Sequence, residues 1–290
     1  MPFLTTDAAE IHYEVVGAGE PILFLHGLGS STLDWEPQVS AFAGHYRTIA
    51  IDARGSGESR DLRKANGPFS VAEFAADALA VLDHLGATPA HVVGLSLGGV
   101  VAFQMAVTRP QALRSMTIVN SAPAFEVHGA RAVATIWLRR IISRLFGPKG
   151  MAKSLAPKLF PAPGHEALRR QFIARMARNR RGAYIATQLA VLGWSVADRL
   201  ETIQVPTLVI GAEHDYPFLA DKQAWVRRMP RAEYVEVPGA HHALPIEAPA
   251  PFNAALGAFL ARHSSPCRRN ATCCTSAPSF RTTRATAPTR

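Results

Sequence analysis

Apolar and polar positions follow a regular pattern over the first 120 residues of the chain. Short, continuously apolar runs are separated by longer stretches in which apolar residues recur at helical spacing. A short apolar run is typical of a strand that is buried on both faces. Strands that alternate with helices predict a mostly parallel sheet with helices on both of its faces. The apolar runs occupy residues 21–25, 46–51, 91–95 and 115–119, after a first strand predicted at 11–16.

The clearest helix signal follows Ser70. Ser70 can cap a helix N-terminus, and Glu73 three residues later completes a capping box. Apolar residues then recur at helical spacing as far as Gly86, a residue type common just after the end of a helix. The sequence therefore predicts a capped helix over residues 71–85.

The alternation stops at Ala124 and resumes at about residue 205. Between these points no buried strand is evident, and residues 131–146 and 165–178 have helical spacing, with Gly147-Pro148 among the breaks between them. We predict a helical insertion over 124–200 within a sheet domain formed by 1–123 and 201–263. Further strands are predicted at 205–211 and 234–237, and further helices at 221–229 and 249–263.

Residues 264–290 have a different composition from the rest of the chain. They are mainly small and polar residues, arginine and proline, with no acidic residue and no apolar periodicity, which predicts a disordered tail. The three cysteines, Cys267, Cys273 and Cys274, all lie in this tail. The sheet domain therefore has no disulfide framework and no cysteine metal site, which favours a cytoplasmic protein.

The net charge of +9 is unevenly distributed. Residues 124–200 carry +11 and the tail +5, whereas the remainder carries −7. Because the basic charge is not a property of the whole fold, we predict no nucleic-acid partner. No apolar run approaches the ~20 residues that span a bilayer, so we predict no stable membrane insertion. We expect a monomer or a homodimer.

Candidate chemistry lies where the apolar run 91–95 meets the next helical pattern. Residues 94–98 read Gly-Leu-Ser-Leu-Gly, a Gly-x-Ser-x-Gly match. A strand that turns sharply into a helix exposes the hydroxyl of the middle serine, beside the free N–H groups of the helix N-terminus. The pattern predicts Ser96 as a nucleophile, with an ordinary strand-to-helix turn as the alternative.

Five separated motifs follow one another along the chain. They are His26-Gly27, Asp52-x-Arg54-Gly55-x-Gly57-x-Ser59, Ser96 with its glycines, Asp215, and the segment 238–242. In this order they resemble the α/β-hydrolase family, in the branch with a helical cap. The resemblance implies an eight-stranded, mostly parallel sheet, with residues 124–200 as a cap inserted after the sixth strand. It also implies a catalytic triad in the order Ser, Asp, His.

The resemblance assigns the remaining members of the triad. Asp215 occupies the position of the acid. The family has a glutamate five residues after its histidine and a proline two residues later, and here Glu247 and Pro249 select His242 as the base. His241 stands where the family has glycine, so His241 remains an alternative. A metal site built on residues 213–215 is a weaker interpretation, and we predict none.

The resemblance also implies two backbone donors for an oxyanion, the N–H groups of Leu28 and Leu97. His26 is expected to organise the loop behind the first donor. Leu33 and Trp35, apolar residues of the same loop, are the predicted lining of the substrate pocket.

Together these residues predict a serine hydrolase without a cofactor, acting on a small ester, thioester or lactone with an apolar acyl part. A carbon–carbon bond hydrolase or an acyltransferase would use the same triad, and a ligand-binding or signalling protein with little turnover is a further alternative. The basic insertion has two interpretations. Its arginines form a solvated face, or its apolar residues near Trp137 and Leu145 meet an anionic or lipid surface.

Overall fold

A computed structural model describes residues 2–63, 67–125, 129–215 and 222–265 of the chain. Within these ranges the chain forms one sheet of nine strands. The strands are β1 (Phe3–Thr5), β2 (Ala9–Val16), β3 (Glu20–Leu25), β4 (Tyr46–Ile51), β5 (Arg60–Asp61), β6 (Ala90–Leu95), β7 (Leu113–Val119), β8 (Thr207–His214) and β9 (Ala232–His241). Their order across the sheet is β1-β2-β4-β3-β6-β7-β8-β9, with β5 paired to β2. The pairs from β4 to β9 are parallel, and those made by β2 are antiparallel.

The mostly parallel sheet is as predicted, but it has nine strands rather than eight. Two of the nine strands, β1 and β5, are not among the strands predicted from the apolar pattern. Strand β5 consists of two residues paired with Ala9 and Glu10 of β2, and β1 consists of three residues. Strands this short have no hydrophobic periodicity, so the sequence pattern contains no signal for them.

Helices cover both faces of the sheet. They are α1 (Glu36–Phe42), α2 (Val71–His84), α3 (Leu97–Thr108), α4 (Ala130–Leu159), α5 (Glu166–Ala177), α6 (Arg181–Ala190), α7 (Lys222–Val226), α8 (Leu244–Glu247) and α9 (Pro249–His263). Along β3, Leu23 packs into the core that contains α2 and α3, whereas Ile22 and Phe24 pack into the core that contains α1 and α9. Successive side chains of a strand point to opposite faces, so a strand covered on both faces must be apolar throughout.

The predicted capping box is present at the start of α2. The Ser70 hydroxyl accepts a hydrogen bond from the Glu73 N–H, and the Glu73 carboxylate accepts one from the Ser70 N–H. Two otherwise unsatisfied N–H groups of the first turn are thereby paired.

Helices α4, α5 and α6 lie between β7 and β8. The predicted break at Gly147-Pro148 is a sharp bend within α4, where Gly147 has a φ of 64° and a ψ of −170°. Pro148 begins the second half of α4, a position at which a missing N–H costs no helical hydrogen bond. Helix α6 was not predicted from the sequence pattern.

Two predictions concern residues at the edges of the described ranges. The predicted helix at 221–229 corresponds to α7, and its first residue lies outside the described residues. The predicted disorder of 264–290 concerns a segment of which only Ser264 and Ser265 are described. No helix in the described parts of the chain has the length and apolarity needed to cross a bilayer.

Asp52, at the end of β4, organises the loops beside the candidate site. Its carboxylate accepts hydrogen bonds from the N–H groups of Thr32 and Glu58 and from Nδ1 of His12, at 2.7, 2.9 and 3.0 Å. Burial raises the pKa of Asp52, but the hydrogen bond from His12 and the other donors outweigh it and hold this pKa below its usual value. The hydrogen bond to Asp52 in turn raises the pKa of the buried His12 above 6.5.

The stability contributed by His12 should therefore depend on pH. A histidine whose pKa is raised by folding stabilises fully below its unfolded-state pKa, and this contribution is lost as the pH rises through the folded-state pKa. We expect His12→Gln to lower the free energy of unfolding most below pH 6.5, with a smaller loss at alkaline pH. Urea unfolding across this range measures the difference. His45→Gln, at an exposed histidine, is the control, and a loss at His12 that does not vary with pH would contradict the prediction.

Candidate active site

Ser96 lies at the turn between β6 and α3 with a φ of 53° and a ψ of −109°. A residue with a side chain rarely adopts this conformation, which costs about 1–3 kcal/mol. The glycines on either side allow the turn to be this tight. A Cβ atom added to Gly98 would overlap the carbonyl oxygen of Leu25, and one added to Gly94 would overlap that of Gly98.

The strained turn is held in place by hydrogen bonds from β7 and the residues after it. The Ser96 N–H donates to the carbonyl of Val119 at 2.9 Å, and the buried Ser121 hydroxyl donates to the Ser96 carbonyl at 2.7 Å. Both peptide groups of Ser96 are thereby paired, and the residue lines the cavity described below.

Asp215 follows the last residue of β8, and its two carboxylate oxygens have different partners. Oδ1 lies 2.6 Å from Nδ1 of His242, and Oδ2 accepts a hydrogen bond from Nζ of Lys222 at 2.6 Å. Burial raises the pKa of Asp215, but these two partners, His242 first, hold it below its usual value. Asp215 is therefore a carboxylate at neutral pH. Lys222 was not identified from the sequence, because a lone lysine in a helical pattern has no distinguishing signal.

The adjacent histidines have different carboxylate partners. Nδ1 of His241 lies 2.6 Å from Oε1 of Glu247, and the His241 N–H donates to Oε2 of the same side chain. Asn120 donates a hydrogen bond to the His242 carbonyl and so ties this loop to the end of β7. The structure thus brings His242, and not His241, into contact with Asp215.

The two expected backbone donors lie beside Ser96. Leu97 is the first residue of α3, so its N–H has no acceptor within the helix. Leu28 lies in the loop after β3, and both residues line one cavity with Ser96. His26 supports this loop, because its Nε2 accepts from the Ala53 N–H at 2.9 Å and its Nδ1 donates to the Gly27 carbonyl at 2.7 Å.

Ser96 lines two cavities, of about 390 and about 120 Å³. His242 lines the smaller one, and the walls of both are mostly apolar. Arg139 of α4 and Tyr184 of α6 line both cavities, and burial raises the pKa of the Tyr184 hydroxyl to about 12. The apolar lining of the larger cavity consists of Leu28, Leu97, Val100, Phe125, Ile136, Met151, Leu155, Leu189, Val191 and Leu192.

The predicted pocket residues Leu33 and Trp35 line neither of these cavities, which corrects that assignment. A short 3₁₀ turn carries Trp35 into the core, where it is fully buried against Phe24 and Phe252. Leu33 is 39% exposed, and its carbonyl accepts a hydrogen bond from Arg175. The walls come largely from α4 and α6 instead, and a sequence pattern alone contains no signal for which side of such a helix meets the cavity.

Among the residues that the structure describes, no three His, Cys, Asp or Glu side chains are grouped so that they could hold a metal ion. In the segment 213–215, the Glu213 carboxylate accepts a hydrogen bond from the Gly239 N–H, whereas Asp215 faces His242. These side chains therefore do not converge on one point.

The chain matches the α/β hydrolase fold family over residues 20–249. It is 32% identical over 271 residues to "Putative carbamate hydrolase RutD" of Azorhizobium caulinodans, an alignment that covers 89% of this chain and 98% of that protein. The enol-lactonase from Burkholderia xenovorans LB400 superposes with a TM-score of 0.81 at 24% identity, over 90% of this chain and all of that one. Est816, an N-acyl homoserine lactone degrading enzyme, superposes with a TM-score of 0.74 at 28% identity, over 89% of this chain and all of that one.

The protein therefore belongs to the α/β hydrolase fold family. The protein is a hydrolase. The alignment with the Azorhizobium caulinodans protein extends over nearly the whole length of that relative.

Proposed function

We propose that this hydrolase cleaves carboxylic esters, thioesters or lactones through an acyl-enzyme formed on Ser96. The observation that supports this is the cavity shared by Ser96 and His242, whose Nδ1 is held by Asp215 at 2.6 Å. In the proposed mechanism, His242 takes the hydroxyl proton as Ser96 attacks the carbonyl carbon, and it returns a proton to the leaving alcohol or, for a thioester, the leaving thiol. Water then attacks the acyl-enzyme, with His242 again as the base.

Asp215 orients the imidazole and stabilises the imidazolium that forms when His242 takes the proton. Its low pKa keeps it charged for this task. The N–H groups of Leu28 and Leu97 are the proposed donors to the oxyanion of the tetrahedral intermediate. One such donor contributes about 10²–10³-fold to kcat in serine hydrolases.

We propose that residues 124–200 act as a cap over the sheet domain and select an apolar acyl group. The support is the apolar wall of the larger cavity, to which α4 contributes Ile136, Met151 and Leu155. A cavity of about 390 Å³ is within the range that holds a small organic ligand. A carbamate is a second substrate type to test beside the esters, because one relative is named as a putative carbamate hydrolase. A small polar carbamate, however, would leave the apolar wall of the cavity without a partner.

The proposal is tested by a series of p-nitrophenyl esters with increasing acyl length, together with lactones, a carbamate and a carbon–carbon bond hydrolase substrate. Each buried methylene contributes up to about 0.8 kcal/mol, so kcat/KM should rise up to about fourfold per methylene until the cavity is full. We expect Ile136→Trp to lower kcat/KM for the long esters about tenfold or more and to change acetate hydrolysis little.

The matched control is Ile141→Trp, because Ile141 lies on the same helix but is 49% exposed and lines neither cavity. Equal effects of the two substitutions at every acyl length would exclude the larger cavity as the acyl site. Hydrolysis of the carbamate or the carbon–carbon substrate alone would contradict the proposed ester or lactone specificity.

A further inference from the structure

An exposed apolar surface lies on the first half of α4, on side chains that do not line the cavities of Ser96. Val133, Trp137, Ile141 and Leu145 follow one another at a spacing of four residues, which places them on one face of the helix. Their exposed fractions are 43, 58, 49 and 65%, and Leu138 and Phe146 beside them are 58 and 66% exposed. We call these six side chains the apolar stripe.

Exposed apolar side chains are concentrated in the apolar stripe and are sparse on the rest of the described surface. Of the eleven large hydrophobic residues that are exposed in the described parts of the chain, six lie within residues 133–146. Single exposed apolar residues are normal, but a contiguous group bordered by polar residues marks an interaction site. The helix is anchored from its other side, where the buried Ser143 is hydrogen-bonded with Gln188 of α6.

The charge of α4 restricts what can cover the apolar stripe. The helix contains seven lysines and arginines and no aspartate or glutamate in 30 residues. Arg144 is exposed beside the stripe, and the Arg140 guanidinium lies 5.2 Å from the centre of the Trp137 ring. A partner that fits this face must therefore be apolar within and negatively charged at its surface.

We propose that the apolar stripe docks the protein onto the surface of a membrane that contains anionic lipids. Amphipathic helices with basic and aromatic residues lie in the plane of the lipid headgroups, with apolar side chains inserted to the level of the acyl chains. A second copy of the chain fits less well, because a two-fold contact would bring the arginines of two helices together with no acidic residue on α4 to pair with them.

Docking through α4 would also place the cavity of Ser96 close to the membrane surface. Ile136 and Arg139, on the same half of α4, line the cavity that contains Ser96. A docked protein holds that cavity next to the lipid. The docking itself does not depend on the proposed hydrolytic function, and a binding assay tests it separately.

The test is co-sedimentation of the full chain with large vesicles of phosphatidylcholine alone or mixed with phosphatidylglycerol. We expect binding to the mixed vesicles, weaker binding to the neutral ones, and loss of binding as the salt concentration rises. Trp137→Gln combined with Leu145→Gln should weaken binding at least about tenfold. Arg144→Glu should weaken it about 30-fold, because it changes the charge by two units, each charge near an anionic surface contributes about 1 kcal/mol, and 1.4 kcal/mol is a factor of ten.

Matched controls are Leu62→Gln and Arg227→Glu, exposed residues of the same types on the sheet domain. They should bind as the unaltered protein does, and circular dichroism should show all variants folded. No binding to the mixed vesicles at low salt, or equal losses in the control variants, would overturn the proposal. So would a dimer in analytical ultracentrifugation without lipid that dissociates in the Trp137 and Leu145 double variant, because the second copy would then be the occupant.

Discussion

Replacement of Ser96 by alanine is expected to lower kcat for ester hydrolysis by about 10⁴-fold or more, and to abolish covalent labelling by a fluorophosphonate probe. The size of this decrease in kcat follows from the mechanism, because loss of the nucleophile removes the acyl-enzyme route and leaves only substrate binding and the oxyanion donors. The backbone of the turn should persist, since its hydrogen bonds to Val119 and Ser121 involve only main-chain atoms of Ser96.

The measurements are steady-state kinetics, probe labelling with mass-spectrometric mapping, and thermal unfolding. Ser154→Ala is the matched control, because Ser154 is an exposed serine of α4 outside both cavities. Labelling that persists in Ser96→Ala, or that maps to another serine, would reject Ser96 as the nucleophile. Loss of labelling with a collapsed melting temperature would instead assign Ser96 a structural role, and so would equally contradict the prediction.

Replacement of His242 by alanine is expected to lower kcat by about 10³–10⁴-fold or more, whereas His241→Ala should change it only a few-fold. The two residues are adjacent, so each is the natural control for the other. Their carboxylate partners differ, because His242 is held by Asp215 and His241 by Glu247. The prediction is that only the histidine paired with Asp215 moves protons for Ser96.

Asp215→Asn should reproduce most of the His242 effect, since an amide neither holds the required tautomer nor stabilises the imidazolium. Glu247→Gln should resemble His241→Ala in its effects, and it should alter the melting temperature more than kcat. If His241→Ala were inactive and His242→Ala active, the assignment of the base would be reversed. The assay is the p-nitrophenyl ester series, with all variants compared at one pH.

Much of the sheet was predictable because its strands are buried on both faces and are therefore apolar throughout. The strand at residues 46–51 and the final helix at 249–263 were predicted with the bounds that the structure has. The capping box of α2 was predictable because Ser70 and Glu73 act within a single turn. Strands β1 and β5 and helix α6 were not predicted. The two strands, of three and two residues, are too short for periodicity, and the helix belongs to an insertion whose packing depends on the rest of the fold.

The residues of the candidate site likewise fall into those that the local sequence predicted and those that it did not. Ser96 was predicted from its two flanking glycines, which are a local requirement of a turn in which added Cβ atoms would overlap the backbone. The partner of each histidine was not visible locally, because Asp215 and Glu247 reach adjacent residues from different elements. Lys222 on the far oxygen of Asp215 and Tyr184 on the cavity wall were missed for the same reason.

The sequence by itself determined the parallel sheet, the strained turn at Ser96 and the basic charge of the helical insertion, because each depends on residues that are neighbours in the chain. Tertiary structure alone decided which side chains line the cavity. Leu33 and Trp35 lie close to the oxyanion loop in sequence, yet a single 3₁₀ turn sends one into solvent and the other into the core. The wall is built instead by α4 and α6, whose orientation depends on packing between segments far apart in the chain.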